Sequence, residues 1–168
     1  MAFLDELKAR LASLRATLFR MNENQQHLYL TAYSFLGRDA SPLDWARDDV
    51  GCSDSVSRVL QKAFPELRFP TFLSTRELYA YFTNSPSFKE EQTPEFGRII
   101  LSVTGMGNGK VSNGHVGIIG RNTSQDGSLW VMSNDSRFGT WEANLTVTSW
   151  NRYYRDRGGM VTHIFRVV

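Results

Sequence analysis

The hydrophobic positions follow a different period in each half of the chain. In the first half, apolar residues recur every three or four positions, which predicts amphipathic helices. These helices are expected over 25–36, from Cys52 to just before Pro65, and over 74–82. In the second half, apolar runs and alternation predict strands over 98–103, 115–119, 128–133, 144–148 and 161–168. Helices followed by meandering strands predict an α+β fold, with N-terminal helices packed on a mostly antiparallel sheet.

Residues that favour helix ends support several of these boundaries. Gly37 follows the first predicted helix, in the position where glycine commonly ends helices. Ser74 and Glu77 have the spacing of a capping box at the start of the third predicted helix. Thr148 is expected to cap a helical turn that runs through Tyr154.

A leucine stripe marks the first 22 residues. Leucines and one methionine recur there at alternating steps of three and four, at Leu4, Leu7, Leu11, Leu14, Leu18 and Met21. We expect residues 1–22 to form an accessory amphipathic helix and residues 23–168 to form the main domain. Packing of this stripe on the domain core is one interpretation. Self-association, or docking of a partner through the stripe, is the other.

Composition narrows the class of protein. With 168 residues, 41% of them hydrophobic and 21% charged, the chain has the size and balance of one globular domain. A net charge of +2 from scattered basic residues does not favour nucleic-acid binding. There is no apolar run of membrane-spanning length, and the charged first residues do not match a signal peptide. The protein is therefore expected to be cytoplasmic as made.

The single cysteine carries the most chemical information. Cys52 is the only cysteine, which excludes an intrachain disulfide and a zinc site with several cysteine ligands. It follows Gly51 at the predicted start of a helix, where free N–H groups favour a thiolate and can bind an oxyanion. The alternative is a small, buried packing residue, a common role for free cysteines.

Two further positions could complete a thiol-based site. His115 begins a predicted strand after a glycine-rich loop and could act as the base for the thiol, whereas His27 and His163 fit structural roles. A polar residue that orients His115 is expected at the end of the next strand. Alternation places Asn134 on one face of that strand and Asp135 on the other, so either could serve. Alternatively, these two residues form a turn.

Two segments resemble the motifs of the NlpC-type and CHAP cysteine peptidases. They are Gly51-Cys52-Ser53-Asp54-Ser55-Val56 and Gly114-His115-Val116-Gly117-Ile118-Ile119. The resemblance implies a papain-like fold in which Cys52 is the nucleophile, His115 the base and Asn134 the third member, with no metal or cofactor. The CHAP pattern has a glutamate where this chain has Met132, so Asp135 is kept as an alternative third member.

The same resemblance implies a substrate and a setting. These peptidases cut the stem peptides of bacterial peptidoglycan, or the amide that joins them to the glycan, and a phage-encoded endolysin or virion-associated lysin is expected. Such an enzyme would act on the cell wall after release or as part of a virion. Two other hypotheses remain: a non-catalytic wall-binding or phage assembly module, and a deamidase or transglutaminase-like enzyme with the same Cys-His chemistry.

Overall fold

A six-stranded antiparallel sheet organises the chain. The computed structural model describes residues 22–39, 51–111, 113–122 and 127–168. The four α-helices in this part of the chain are α1 (Glu23–Ser34), α2 (Cys52–Ala63), α3 (Thr75–Asn84) and α4 (Val147–Trp150). A 3-10 turn covers Pro65–Leu67, and a π-helix, Asn151–Arg157, continues α4. The strands are β1 (Phe88–Glu91), β2 (Ile99–Ser102), β3 (His115–Asn122), β4 (Leu129–Asp135), β5 (Thr140–Thr146) and β6 (Thr162–Val167).

The strand order places β3 inside the sheet. The order is β1-β6-β2-β3-β4-β5, and every neighbouring pair is antiparallel. His115, the first residue of β3, lies opposite Ser102, the last residue of β2. The start of β3 therefore lies at the same end of the sheet as the end of β4, because antiparallel neighbours run in opposite directions.

Each face of the sheet has its own hydrophobic cluster. Helices α1, α2 and α3 cover one face, where Val56, Leu60 and Leu78 belong to one buried cluster with Val116 and Ile118 of β3. The segment made of α4 and the π-helix covers the other face. The buried members of that second cluster are Ile100, Ile119, Val131, Trp150 and Ile164. Alternation along β3 therefore puts His115 and Ile119 on the face of α4, and Val116 on the face of α2.

The structure confirms the predicted α+β class and most of the predicted elements. Helix α2 begins at Cys52 and ends at Ala63, as the pattern before Pro65 predicts. Ser74 caps α3, its side chain accepting a hydrogen bond from the backbone N–H of Glu77. The strands expected over 98–103, 115–119, 128–133 and 161–168 all form, with ends that differ by up to three residues.

One strand was not predicted, and the bounds of another were wrong. The sequence pattern gave no sign of β1, an edge strand with the residues Phe-Lys-Glu-Glu. This strand pairs with β6, and an ion pair of 2.6 Å between Arg166 of β6 and Glu91 of β1 reinforces the pairing. Edge strands tolerate charged residues, so β1 shows no hydrophobic alternation. Strand β5 spans Thr140–Thr146 rather than 144–148, and Thr146, not Thr148, caps α4.

One predicted element lies outside the residues that the structure describes. The leucine stripe, and with it the proposed accessory helix up to residue 21, lies outside them. Within the described ranges, none of the helices has both the length and the apolar character needed to cross a membrane.

Trp141 of β5 joins the edge of the sheet to α1. Its ring is fully buried, and its indole Nε1–H donates a 3.0 Å hydrogen bond to the carbonyl oxygen of Ala32. We predict that Trp141→Phe lowers the free energy of unfolding by about 2 kcal/mol, because it removes this hydrogen bond and leaves a cavity. Chemical denaturation would measure the change.

Trp130→Phe is the matched control for this substitution. Trp130 is only partly buried, and its Nε1–H has no hydrogen-bond partner among the described residues. We expect a loss of less than about 1 kcal/mol for this variant. Equal losses for the two variants would contradict the role assigned to Trp141.

Candidate active site

A cleft of about 480 Å³ opens where α2 and β3 begin. It brings together the three predicted site residues, Cys52, His115 and Asn134, with Asp135, the alternative third member. The remaining walls come from the glycine-rich loop before β3, the β4–β5 hairpin and the π-helix. They are Lys110, Val111, Asn113, Gly114, Ser136, Arg137, Asn144, Leu145, Tyr153 and Tyr154.

Cys52 occupies the first position of α2. The carbonyl oxygen of Gly51 accepts hydrogen bonds from the backbone N–H of Ser55 at 2.9 Å and from its hydroxyl at 2.8 Å, so the helix start is held firmly. Cys52 is partly buried as a residue, and its Sγ lies 4.0 Å from the hydroxyl oxygen of Ser53. The backbone of Val116, the residue after His115, acts to lower the pKa of the thiol, which therefore lies near the start of β3.

His115 reaches the cleft because the backbone before it runs very close to β2. A Cβ atom at Gly114 would overlap the carbonyl oxygen of Ser102, so only glycine fits there. The backbone N–H of Gly114 donates a 2.9 Å hydrogen bond to the hydroxyl of Thr104. These contacts fix the direction from which β3, and with it the imidazole of His115, enters the sheet.

A chain of polar side chains leads away from His115. The imidazole Nε2 lies 3.0 Å from the hydroxyl of Ser133 on the neighbouring strand β4. The hydroxyl of Ser133 donates a 2.8 Å hydrogen bond to Oδ1 of Asn144 on β5. Asn144 also contributes to the low pKa of the Asp135 carboxyl group at the end of β4. Hydrogen bonds therefore link three side chains from the adjacent strands β3, β4 and β5 into one network.

Arg137 pairs with Asp135 beside this network, at the surface of the protein. Its guanidinium makes two contacts with Asp135, from Nε to Oδ1 at 3.0 Å and from Nη2 to Oδ2 at 2.7 Å. This pairing is the main reason why the pKa of Asp135 is lowered to about 2. Asp135 is therefore a carboxylate throughout the physiological pH range.

A β-bulge directs Asn144 into the network. Val131 pairs with Leu145, but the next residue of β4, Met132, pairs with Ala143, so Asn144 is an extra residue in β5. An inserted residue of this kind interrupts the regular alternation and can redirect a side chain toward a site. As a result, the neighbours Asn144 and Leu145 both line the cleft.

Two aromatic rings cover one side of His115. Its ring centroid lies 5.3 Å from that of Trp150 and 6.0 Å from that of Tyr154, at interplanar angles of 25° and 22°. Trp150 and Tyr154 are themselves only 4.8 Å apart, so both lie on the same side of the imidazole. Trp150 is anchored by a 3.0 Å hydrogen bond from its Nε1–H to the buried hydroxyl of Ser102.

Burial dominates the protonation of both candidate catalytic groups. It raises the pKa of the Cys52 thiol, although hydrogen bonds from Ser53 and from backbone groups act in the opposite direction. Burial also lowers the pKa of His115 to about 4, against the opposing charge of Asp135. The expectation that the helix start lowers the pKa of Cys52 is therefore wrong for this structure, which favours a neutral thiol beside a neutral imidazole. No hydrogen bond joins these two side chains in the described part of the chain.

The residue that contacts the imidazole is one that the sequence analysis did not single out. Asn134 is buried and lines the cleft, but Ser133 bonds to His115 Nε2. Ser133 faces the α4 side of the sheet together with His115, and alternation turns Asn134 to the opposite side. Asp135 shares the face of Ser133 and lines the cleft, where it pairs with Arg137. The assignment of Asn134 as third member stays a prediction.

Residues outside the cleft have evident structural partners. His27 is exposed with its ring near Phe64, and His163 lies 2.7 Å from a carboxylate oxygen of Glu90. Arg98 forms a 2.6 Å ion pair with Glu95. Within the described ranges, no group of three or more His, Cys, Asp or Glu side chains is arranged to hold a metal ion.

Comparison with protein-family models, curated proteins and solved structures finds no match for this chain. The resemblance of its Cys52 and His115 segments to the NlpC-type and CHAP motifs therefore stays a prediction. The functional argument depends on the chemistry of the cleft.

The low pKa of His115 predicts a specific loss of stability in acid. The pKa is about 4 in the folded protein against 6.5 for an ordinary histidine, so the unfolded chain binds a proton at His115 first as the pH falls. This contribution to stability is fully present above about pH 6.5 and is lost toward pH 4. It amounts to at most about 3 kcal/mol.

Denaturation at several pH values, with the His115→Gln variant beside the wild type, would test this. The variant should lose less stability than the wild type between these pH values. The loss due to Asp135 belongs to a lower window, between its ordinary pKa of 3.8 and about 2. Parallel curves for the two proteins between pH 6.5 and 4 would contradict the assignment to His115.

Proposed function

We propose that this chain is a papain-like cysteine hydrolase of the NlpC/CHAP type that cleaves amide bonds in bacterial peptidoglycan. The observation that carries the proposal is the convergence of Cys52 and His115 on one cleft, with the imidazole held by Ser133. A thiol at a helix start, a nearby base and a group that orients the base are the parts that thiol-based acyl transfer requires.

The first half of the reaction forms an acyl-enzyme. His115 takes the proton of Cys52 as the thiolate attacks the substrate carbonyl carbon, and a tetrahedral intermediate forms. The free backbone N–H groups at the start of α2 stabilise the oxyanion. The C–N bond then breaks, and His115 gives its proton to the leaving amine, which leaves a thioester on Cys52.

The second half releases the product. Water attacks the thioester with His115 as general base, so the acid product departs and Cys52 recovers its proton. Since both groups are neutral in the unliganded cleft, proton transfer accompanies attack and no preformed ion pair is needed. Trp150 and Tyr154 exclude water from one side of the imidazole, which strengthens the electrostatic contacts within the site.

The charges of the cleft support a substrate that carries carboxylates. Its charged lining residues in the described ranges are Lys110, Asp135 and Arg137, and Asp135 is already paired with Arg137. The remaining positive charge favours anionic substrates. Peptidoglycan stem peptides carry free carboxylates, so the charge agrees with the substrate that the motif resemblance implies. A phage lysin that acts on the wall after release or from a virion fits this chemistry.

We predict that Cys52→Ala and His115→Ala each lower the hydrolysis of purified cell walls by at least about a hundredfold while leaving the fold intact. The release of soluble wall fragments would be measured, and circular dichroism would report folding. His27→Ala is the matched control, because His27 is exposed and outside the cleft. Full activity of a folded Cys52→Ala protein would contradict the proposal.

The same assay separates the other two hypotheses. A wild-type protein that binds walls without cleaving them would be a non-catalytic module. Ammonia release from glutamine side chains without wall solubilisation would identify a deamidase. Mass spectrometry of the fragments distinguishes a new peptide terminus, produced by an endopeptidase, from a free glycan lactyl group, produced by an amidase.

Lys110 offers a test of substrate charge. We predict that Lys110→Glu raises KM for a stem peptide about three- to tenfold with little change in kcat, because it reverses a charge at the rim of the cleft. Lys62→Glu makes the same charge change on an exposed residue at the end of α2. An equal effect of both variants on KM would show that only net charge matters.

A further inference from the structure

A second cleft, of about 580 Å³, lies on the other side of the π-helix from the candidate active site. Tyr153 and Tyr154 of the π-helix line the first cleft, whereas Asn151 and Arg155 line the second. The volume of the second cleft is typical of clefts that bind small ligands. The π-helix therefore forms a wall between two separate clefts.

We propose that this second cleft binds a stem peptide of peptidoglycan through one of its free carboxylates, while a neighbouring stem peptide of the same polymer occupies the candidate active site. The inference rests on the proposed function for the identity of the polymer. Binding of the peptide, however, can be measured on a protein that has no activity.

The polar groups around the second cleft are mainly hydrogen-bond donors. The Nε of Arg155 contacts Asp156 at 2.9 Å, and its two terminal nitrogens have no partner in the described part of the chain. The hydroxyl of Thr162 donates to Oδ1 of Asn151 at 3.1 Å, so the NH₂ group of Asn151 is left for a ligand. Gln92, which is exposed, adds a second side-chain amide to the lining.

The charge of the second cleft favours an anionic ligand. Among the lining residues in the described ranges, Arg155 is the only charged one, and none is an aspartate or a glutamate. The two terminal NH₂ groups of a guanidinium match the two oxygens of a carboxylate. A carboxylate is therefore the ligand group that this wall fits best.

The floor of the second cleft is apolar. Met160 and Ile164 are 1% and 6% exposed, and Val147 packs beside Ile164 in the same hydrophobic cluster. Such a floor can bury methyl and methylene groups next to the carboxylate that Arg155 binds. Stem peptides combine both features, since they carry alanine methyl groups and free carboxylates on one short chain.

Two clefts for the same kind of peptide would act together on a polymer. A glycan strand carries many stem peptides, so a peptide held in the second cleft raises the local concentration of its neighbours at Cys52. The second cleft is therefore expected to strengthen the binding of the protein to intact walls.

Methyl NMR of the full-length Cys52→Ala protein tests the binding, because this variant does not turn over the probe. The probe is a synthetic stem tetrapeptide, and the control is the same peptide with its carboxylates converted to primary amides. We expect the stem peptide to shift the methyl signals of Met160 and Ile164, and the amidated peptide to bind there at least about tenfold more weakly. No shift of these signals, or equal binding of the two peptides, would overturn the proposal.

Arg155→Glu tests the guanidinium, and Arg152→Glu is its matched control. Both arginines are exposed on the π-helix, but Arg152 lines neither cleft. In the Cys52→Ala protein, we expect Arg155→Glu to weaken the binding measured at Ile164 about three- to tenfold. Arg152→Glu should leave it unchanged, and equal effects of the two variants would overturn the role of Arg155.

Gln92→Glu provides a second test where Arg155→Glu fails to fold. It replaces an exposed amide with a carboxylate of nearly equal size, so it adds a negative charge to the lining. We expect the stem peptide to bind more weakly at Ile164 in this variant as well. Unchanged binding in a folded Gln92→Glu protein would contradict a carboxylate site.

Sedimentation with purified walls tests whether the second cleft serves the polymer. In the Cys52→Ala protein, we expect Arg155→Glu to lower the affinity for walls about threefold or more. An unchanged affinity for walls, beside weaker binding of the free peptide, would overturn the role of the cleft on the polymer. The proposed function fails separately: a wild type that binds the probe at Ile164 but does not cleave walls would contradict hydrolysis alone.

Discussion

The hydrogen bond between His115 Nε2 and the Ser133 hydroxyl is the contact on which the candidate site depends. It crosses from β3 to β4, and its geometry requires those strands to approach closely. Gly117 makes this possible, because a Cβ atom there would lie 2.6 Å from Val131 Cγ1 and 3.1 Å from Ser133 Cβ. The close packing at Gly117 therefore leaves room for the Ser133 hydroxyl to lie within hydrogen-bond distance of His115 Nε2.

The two faces of the sheet contribute different chemistry to one cleft. Helix α2 packs on one face and brings Cys52, with its helix N–H groups, to the end of the sheet. The other face supplies His115, the polar network and the aromatic cover from Trp150. Burial favours the neutral forms of the thiol and the imidazole in the unliganded protein, so the proposed reaction requires a proton transfer between them during attack.

Much of this arrangement could be predicted from the sequence, and the remainder could not for physical reasons. The start of α2 at Cys52 and of β3 at His115 follow from local pattern and flanking glycines. Strand β1 was missed because a charged edge strand has no hydrophobic period. Asn144 was missed because a β-bulge breaks the alternation that places side chains on faces. The raised pKa of Cys52 comes from long-range burial, which a helix-start motif does not record.

The central claim is that Cys52 forms a covalent acyl intermediate. Rapid acid quenching of the protein with a synthetic stem peptide, followed by peptide mapping in a mass spectrometer, tests it most directly. We predict a thioester-linked acyl group on the peptide that contains Cys52, formed and consumed at rates that account for turnover. Cleavage of the substrate with no adduct on Cys52 at any time, or by a protein that carries Cys52→Ala, would contradict the account.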